Sequence, residues 1–351
     1  MDTEIALIWY FLRFLGAGAT AFCLGVAGTW LHLKLLSSRL AAQPIRKLGP
    51  ASHQSKVGTP TFGGFPLIFA AAISTLAWAD VSGSIPWYLA SLFAFASIGL
   101  LDDLLKIRRQ SSDGLKMFQK LGLQFLAAML LLVGIQQAGI SGTGAFVPFV
   151  GNTGPWSPVL WYVGSCLLLV FITNAVNLSD GLDGLVTIPV LLVAGGLGIL
   201  GLLSDPLIVG DAFSGLPHLP GGRGAFLFAG ALAGALLAFL WFNAPPARLF
   251  MGDTGALALG GVLGMIGIIL NQHIFLLLMG GVFVLEGVSV VLQIFWFRWS
   301  SGGRLFRMAP FHHHLELGGW PETRITVRFW IITAVLVALS LTAALLTITL
   351  T

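Results

Sequence analysis

The chain has 351 residues, of which 56% are hydrophobic and 9% charged, whereas an ordinary soluble domain carries about 25% charged residues. With a mean hydropathy of +0.92 this excludes a soluble globular domain and makes lipid the solvent. The net charge of +4 is explained by bases at a cytoplasmic membrane edge, which suit anionic ligands and leave no need for a nucleic acid partner.

Apolar runs near 7–33, 62–79, 87–101, 119–136, 157–175, 184–203, 224–242, 255–271, 274–297 and 327–350 approach the roughly 20 residues that a helix needs to cross the hydrocarbon core. They predict an all-α polytopic membrane protein of about ten transmembrane helices, with 1–351 as one domain and membrane lipid around it. The first run is too long for a cleavable signal peptide and reads as an anchor. Cys23 and Cys166 fall inside apolar runs as small hydrophobes, with no disulfide framework or zinc spacing.

If the spans alternate, nearly every base falls on one side, and only Arg13 and Arg223 on the other. The positive-inside rule then makes the basic side cytoplasmic and turns both termini, with the loops near 80–86, 138–156 and 204–222, outward. Most acids share the basic side, so chemistry is expected at the cytoplasmic face.

Five polar constellations follow along that side. Lys56-Val57-Gly58-Thr59-Pro60-Thr61-Phe62-Gly63-Gly64 brings a lysine and two hydroxyls to the second span; it lacks a Walker A pattern and, taken alone, reads first as a turn into a helix. Asp102 and Asp103 stand where the third span meets the cytoplasm, with Lys106 following. Acids at a helix C-terminus are disfavoured by the dipole and call for a cation, either Mg²⁺ or the lysines. In the stretch from Asn174 to Gly184, a continuous helix would set Asn177, Asp180 and Asp183 on one face; a capped turn is the alternative. The stretch from Asn243 to Gly255 places Asp253 and Thr254 where a span begins, a position that suits an N-cap, beside Arg248 and Phe250. Finally, His312, His313 and His314 precede Glu316 in a loop with Arg298, Arg304, Arg307, Arg324 and Arg328, where imidazoles suit phosphate oxygens better than a hard metal.

Within the ninth span, Glu286 and Gln293 are seven positions apart and share a helix face. An intramembrane acid is a functional candidate; a bond to a neighbouring helix is the other reading. Carboxylates, lysines, arginines and histidines on one membrane face are the parts phosphoryl transfer needs, since that reaction depends on charge neutralisation and positioning. A transporter would instead place polar sites near the midplane in paired broken helices.

Asp102-Asp103, Asn177 to Gly184 and Phe250 to Gly255 together resemble the polyprenyl-phosphate N-acetylhexosamine-1-phosphate transferase superfamily. Pro310 to Glu316, followed by Gly319-Trp320-Pro321-Glu322, is similar to its phospho-N-acetylmuramoyl-pentapeptide transferase branch, and the resemblance runs from Lys56 to Arg328. It implies transfer of phospho-MurNAc-pentapeptide from UDP-MurNAc-pentapeptide to undecaprenyl phosphate with release of UMP, in the bacterial cytoplasmic membrane and with Mg²⁺ as cofactor. A homodimer is compatible with it. A relative using UDP-GlcNAc is the nearest rival.

By the same resemblance Asp253 is the main Mg²⁺ ligand, with Asp102 and Asp103 as further metal or lipid-phosphate contacts. Phe250 would stack on uracil, Asp183 accept its N3 proton, and Lys56 reach a carbonyl oxygen. Asn177, Asp180 and Thr61 would line the ribose and pyrophosphate path, and His312 and His313 would bind the donor's phosphate or sugar. Lys106, Lys116, Asn243, Gln293 and His314 are expected among the substrate contacts. The path from Arg109 to Lys116 is shorter than the family's, so Lys116 and Lys120 remain alternatives for one family lysine.

Overall fold

The computed structural model describes residues 3–36, 59–111, 113–205 and 221–350. In chain order the elements are α1 (Thr3–Leu36), α2 (Gly64–Trp78), α3 (Ile85–Arg109), α4 (Met117–Gln137), a hairpin of β1 (Phe146–Val147) and β2 (Gly151–Asn152), α5 (Pro158–Ser179), α6 (Thr187–Leu203), α7 (Gly222–Asn243), α8 (Gly252–Ile269), α9 (His273–Met279), α10 (Gly281–Trp299), α11 (Phe311–Glu316) and α12 (Glu322–Leu350). Among the described residues eight helices are long and apolar enough to cross a membrane, and α2 and α6 are shorter apolar helices. Each of the ten apolar runs therefore finds its helix, and the protein is an all-α polytopic membrane protein.

Two boundaries differ from the sequence reading in ways that matter. The third span does not stop at Leu101 but continues as helix to Arg109, where Gln110 takes a left-handed conformation at φ 48°. Asp102, Asp103 and Lys106 are thus helical residues, and the bases Lys106, Arg108 and Arg109 in the last turn offset the dipole that the two acids oppose. The ninth span is broken at Gly280, which ends α9 and begins α10; the apolar pattern runs straight through this break and gives no sign of it.

The core lies along α8, which α3 and α5 flank and which is 89% buried, against 22% for α1 and 28% for α4 and α12. Between apolar helices in lipid there is little hydrophobic drive, so close backbone approach through small residues does the packing. A Cβ on Gly99 of α3 would lie 2.2 Å from the Asp253 carbonyl oxygen of α8, and one on Gly234 of α7 would lie 1.9 Å from that of Gly18 of α1.

The bundle has two chemically distinct ends. At one, the hairpin's Phe146 N–H donates to the Asn271 carbonyl just beyond α8, and Phe149 N–H donates to Thr347 Oγ1 near the end of α12. Arg13 pairs with Asp80 at 3.2 Å and Arg223 with Asp205 at 2.5 Å, so the only two bases predicted on this side are each neutralised there. Both described chain ends lie at this hairpin end. At the other end, about 27 Å along α8 at 1.5 Å per residue, the C-termini of α3 and α5 and the N-termini of α4 and α8 converge.

Candidate active site

Asp253, in the first turn of α8, is the hub of that end. Its Oδ2 accepts from Lys120 Nζ at 2.6 Å and Lys106 Nζ at 2.9 Å, and its Oδ1 accepts from Asn177 Nδ2 at 3.0 Å. Lys106 also reaches Asp102 Oδ2 at 2.7 Å and Asp103 Oδ1 at 3.6 Å, and Lys120 lies 3.9 Å from Asp102 Oδ2. Four helices therefore contribute to one charged cluster, α3, α4, α5 and α8.

The N-cap expectation is corrected in detail. Asp253 does not cap its own helix; the N-cap position is Met251, which makes no side-chain cap. Instead Asp103 reaches across from α3: Oδ1 accepts from Asp253 N at 3.2 Å, and Oδ2 from Thr254 N at 2.9 Å and Thr254 Oγ1 at 2.8 Å. An anion supplied by a neighbouring helix satisfies the orphan N–H groups and meets the positive end of the dipole. Gly252 makes the approach feasible, because at φ 75° and with a Cβ that would fall 2.8 Å from Asp103 Oδ2 and 3.0 Å from Thr61 Oγ1 no other residue fits. Thr61 is buried there, with its hydroxyl unpartnered.

Asp102 is held differently, its Oδ1 accepting from Leu115 N at 2.8 Å. Oxygens of Asp102, Asp103 and Asp253 lie within 4.8 Å of one another, and the Lys106 ammonium stands among them. A set of hard oxygen donors gathered around a cation fits Mg²⁺. Asp253 and Asp102 are better placed to serve it than Asp103, because both already hold a cation, the Lys106 ammonium at 2.9 and 2.7 Å, whereas the oxygens of Asp103 are taken up by backbone and hydroxyl donors of α8.

Of the alternative lysines, Lys120 enters the cluster, while Lys116 is exposed at the start of α4, where its N–H donates to Gln119 Oε1 at 3.1 Å. One helical turn separates them, and the short path is closed by Arg109 Nη1 donating to the Gly114 carbonyl at 2.6 Å. Spacing alone could not choose between two lysines on one helix face.

Asn177, Asp180 and Asp183 do not share a helix face, because α5 ends at Ser179. Asn177 turns to Asp253, whereas Asp183 accepts from Ala247 N at 3.0 Å, tying the turn to the α7–α8 connection. Asp180 lies between them, and burial, reinforced by the carboxylates of Asp253, Asp103 and Asp183, holds its carboxyl well above the usual carboxylate range. Asn243 is buried, its Oδ1 accepting from Gly184 N at 2.9 Å and its Nδ2 donating to the Leu249 carbonyl at 2.8 Å; both ends of its amide clamp backbone. Phe250 is half-buried, with its N–H donating to the Pro60 carbonyl and its carbonyl accepting from Gly63 N, both at 2.8 Å. Lys56 lies outside the described residues, as do 206–220 of the third outward loop.

The histidines form α11, seated by Phe311 and Leu315 on Leu182, Leu185 and Val282. His312 is buried and donates its N–H to Glu286 Oε1 at 3.1 Å, with its Nδ1 3.0 Å from Glu286 Oε2. His313 Nδ1 pairs with Glu316 at 2.6 Å. His314 stacks on Phe311, and its Nδ1 accepts from Arg307 N at 3.1 Å. Of Glu286 and Gln293, weighed in the sequence as ligand contacts or helix bridges, Glu286 binds α11 through His312 and Gln293 binds the connection after α10, its Oε1 accepting from Phe306 N at 2.8 Å. Gln293 also opens on a cavity of about 600 Å³ walled by Arg298, Arg304 and Arg307 with Ile294, Phe297 and Met308.

The residues sequence reasoning did not place in the site are Lys120, left as an alternative, Thr254, and Glu286, left open. Their signal was present but local: a second lysine one turn on, a hydroxyl after the acid, and a lone acid in a span.

One end of the bundle thus holds clasped carboxylates, two ammonium groups and a histidine helix beside an arginine-lined cavity. Residues 85–271, more than half of the chain, match glycosyl transferase family 4, and the match takes in the whole carboxylate cluster. The chain accordingly belongs to that family, which comprises phospho-N-acetylmuramoyl-pentapeptide transferase and related polyprenyl-phosphate hexosamine-1-phosphate transferases, and is a multi-pass membrane sugar-phosphate transferase acting on a polyprenyl phosphate and a nucleotide sugar.

Proposed function

We propose that the donor is UDP-MurNAc-pentapeptide and the acceptor undecaprenyl phosphate, giving undecaprenyl-pyrophosphoryl-MurNAc-pentapeptide and UMP, the first membrane step of peptidoglycan synthesis in the bacterial cytoplasmic membrane. The observation that supports this donor is the open cavity lined by Arg298, Arg304 and Arg307, which adjoins α11 where Arg307 N donates to His314 Nδ1. No carboxylate among the described residues forms an ion pair with these three guanidinium groups, and a donor carrying an acidic peptide supplies the anions they lack. A UDP-GlcNAc donor has no such part.

In the reaction an oxygen of the lipid phosphate forms a bond to the sugar-linked phosphorus, the bond from that phosphorus to the bridging oxygen breaks, and UMP leaves with the electron pair. Lys106 and Lys120 hold phosphate oxygens, Asp102 takes a residual proton from the lipid phosphate, and Phe250 stacks on the base with Asp183 near its edge. Mg²⁺, held by Asp253 and Asp102, would supply neutralisation of the pyrophosphate charge. No covalent step through Asp253 is needed, because the lipid phosphate is itself an anionic nucleophile and positioning with charge neutralisation supplies most of the catalysis.

The test is to incubate purified protein with undecaprenyl phosphate, Mg²⁺ and either labelled UDP-MurNAc-pentapeptide or labelled UDP-GlcNAc. Label should enter the lipid fraction from the first alone. Transfer from UDP-GlcNAc alone would reassign the donor.

A further inference from the structure

Glu286 is fully buried in the second turn of α10, and burying a carboxylate is costly unless it is paired and hydrogen-bonded. Both of its oxygens face His312: Oε1 accepts the backbone N–H at 3.1 Å and Oε2 lies 3.0 Å from Nδ1. A carboxylate only accepts, so Nδ1 must carry the proton. The other ring nitrogen, Nε2, is buried and has no hydrogen-bond partner. It points at Gly181, where a Cβ would lie 2.4 Å away, in the turn between Asp180 and Asp183.

We propose that Glu286 is a positioning residue acting through His312. It keeps Nδ1 protonated in every state of the ring, so that proton gain and loss are confined to Nε2, the atom presented to an oxygen of the donor's sugar-phosphate at the Asp180–Gly184 turn. The identity of that ligand rests on the function proposed above; the tautomer does not. Glu286→Gln preserves shape but not chemistry. Its amide oxygen continues to accept the His312 N–H, which leaves the NH₂ facing Nδ1 and drives the proton to Nε2.

The experiment reads the ring nitrogens of His312 by ¹⁵N NMR in the full-length, lipid-embedded protein, assigned by difference with His312→Gln. Wild type should show Nδ1 protonated throughout the titration, and Glu286→Gln should show it unprotonated, with kcat/KM lowered about 10- to 100-fold, as for other orienting partners of a histidine. His312→Asn keeps an amide donor toward Glu286 and lacks Nε2, so it should lower kcat/KM at least as far as Glu286→Gln does. A wild-type Nδ1 that loses its proton, or a His312→Asn enzyme of undiminished kcat/KM, overturns the proposal. Should the donor prove to be another UDP-sugar, the NMR result is unaffected, so the two readings fail separately.

Discussion

Two neighbouring aspartates in the same helix do different work here, although they are indistinguishable in the sequence. Asp103 satisfies backbone and hydroxyl donors of α8, so Asp103→Ala should destabilise the protein by about 1–3 kcal/mol, the cost of leaving buried donors unpaired, seen as a lower midpoint of thermal unfolding in detergent. Asp253→Asn keeps the shape of its side chain and should abolish turnover. In wild type stripped of lipid phosphate, labelled UMP should not exchange into the donor; rapid exchange would establish a covalent sugar-phosphoryl enzyme and make Asp253 its candidate. The two lysines separate in the same way. Lys120→Met should lower kcat by about 10²–10³, as removal of a preorganised charge donor does, and Lys116→Met, at an exposed position, should leave kcat near wild type. Asp180 supplies a pH test. Its carboxyl is held above the usual range, so its contribution to stability is full below the ordinary value of about 3.9 and is lost as pH rises through the folded value. In metal-free buffer Asp180→Asn should therefore gain stability over wild type as the pH is raised from about 4; a gap that narrows instead would contradict the burial argument.

At the scale of elements, the site is made by helix ends and the segments that lock them together. The segment before α2 pairs with the segment before α8 through Gly63 N to the Phe250 carbonyl, Gly64 N to the Met251 carbonyl at 2.9 Å, and Phe250 N to the Pro60 carbonyl. Phe250 thereby has a fixed backbone and a half-exposed ring, the arrangement that makes an aromatic platform. Stacking on a base is worth roughly 1–3 kcal/mol and is made largely in the ground state. Phe250→Ala should accordingly raise the KM for the uridine donor more than it lowers kcat. A collapsed kcat at unchanged KM would take Phe250 out of the base-binding role.

For the whole molecule, the hairpin end and the carboxylate end are separated by the length of α8, comparable with the roughly 30 Å hydrocarbon core. Among the described residues the hairpin end holds Arg13 and Arg223 in ion pairs with acids, while the other end carries most of the lysines and arginines, the asymmetry that sets orientation. In a background lacking Cys23 and Cys166, an impermeant thiol reagent applied to intact cells should label Asn152→Cys in the hairpin and not Ser300→Cys beyond α10. Reversed labelling would turn the protein over and remove the site from the side where a soluble nucleotide donor is made.

The spans, the all-helical class and the segregation of acids and bases were legible in the sequence because each depends on a local property: apolar run length, or the side of the membrane on which a charge falls. The motifs around Asp102, Asn177, Asp253 and His312 were legible as groups for the same reason. What the tertiary structure decided was which group each side chain meets. That Asp103 caps α8, that Lys120 and not Lys116 enters the cluster, that Asn243 clamps backbone, and that Glu286 orients His312 all depend on helices distant in sequence coming together at one end. The break at Gly280 belongs with these, since apolar composition is the same on both sides of it and only packing against the rest of the bundle distinguishes a bent path from a straight one.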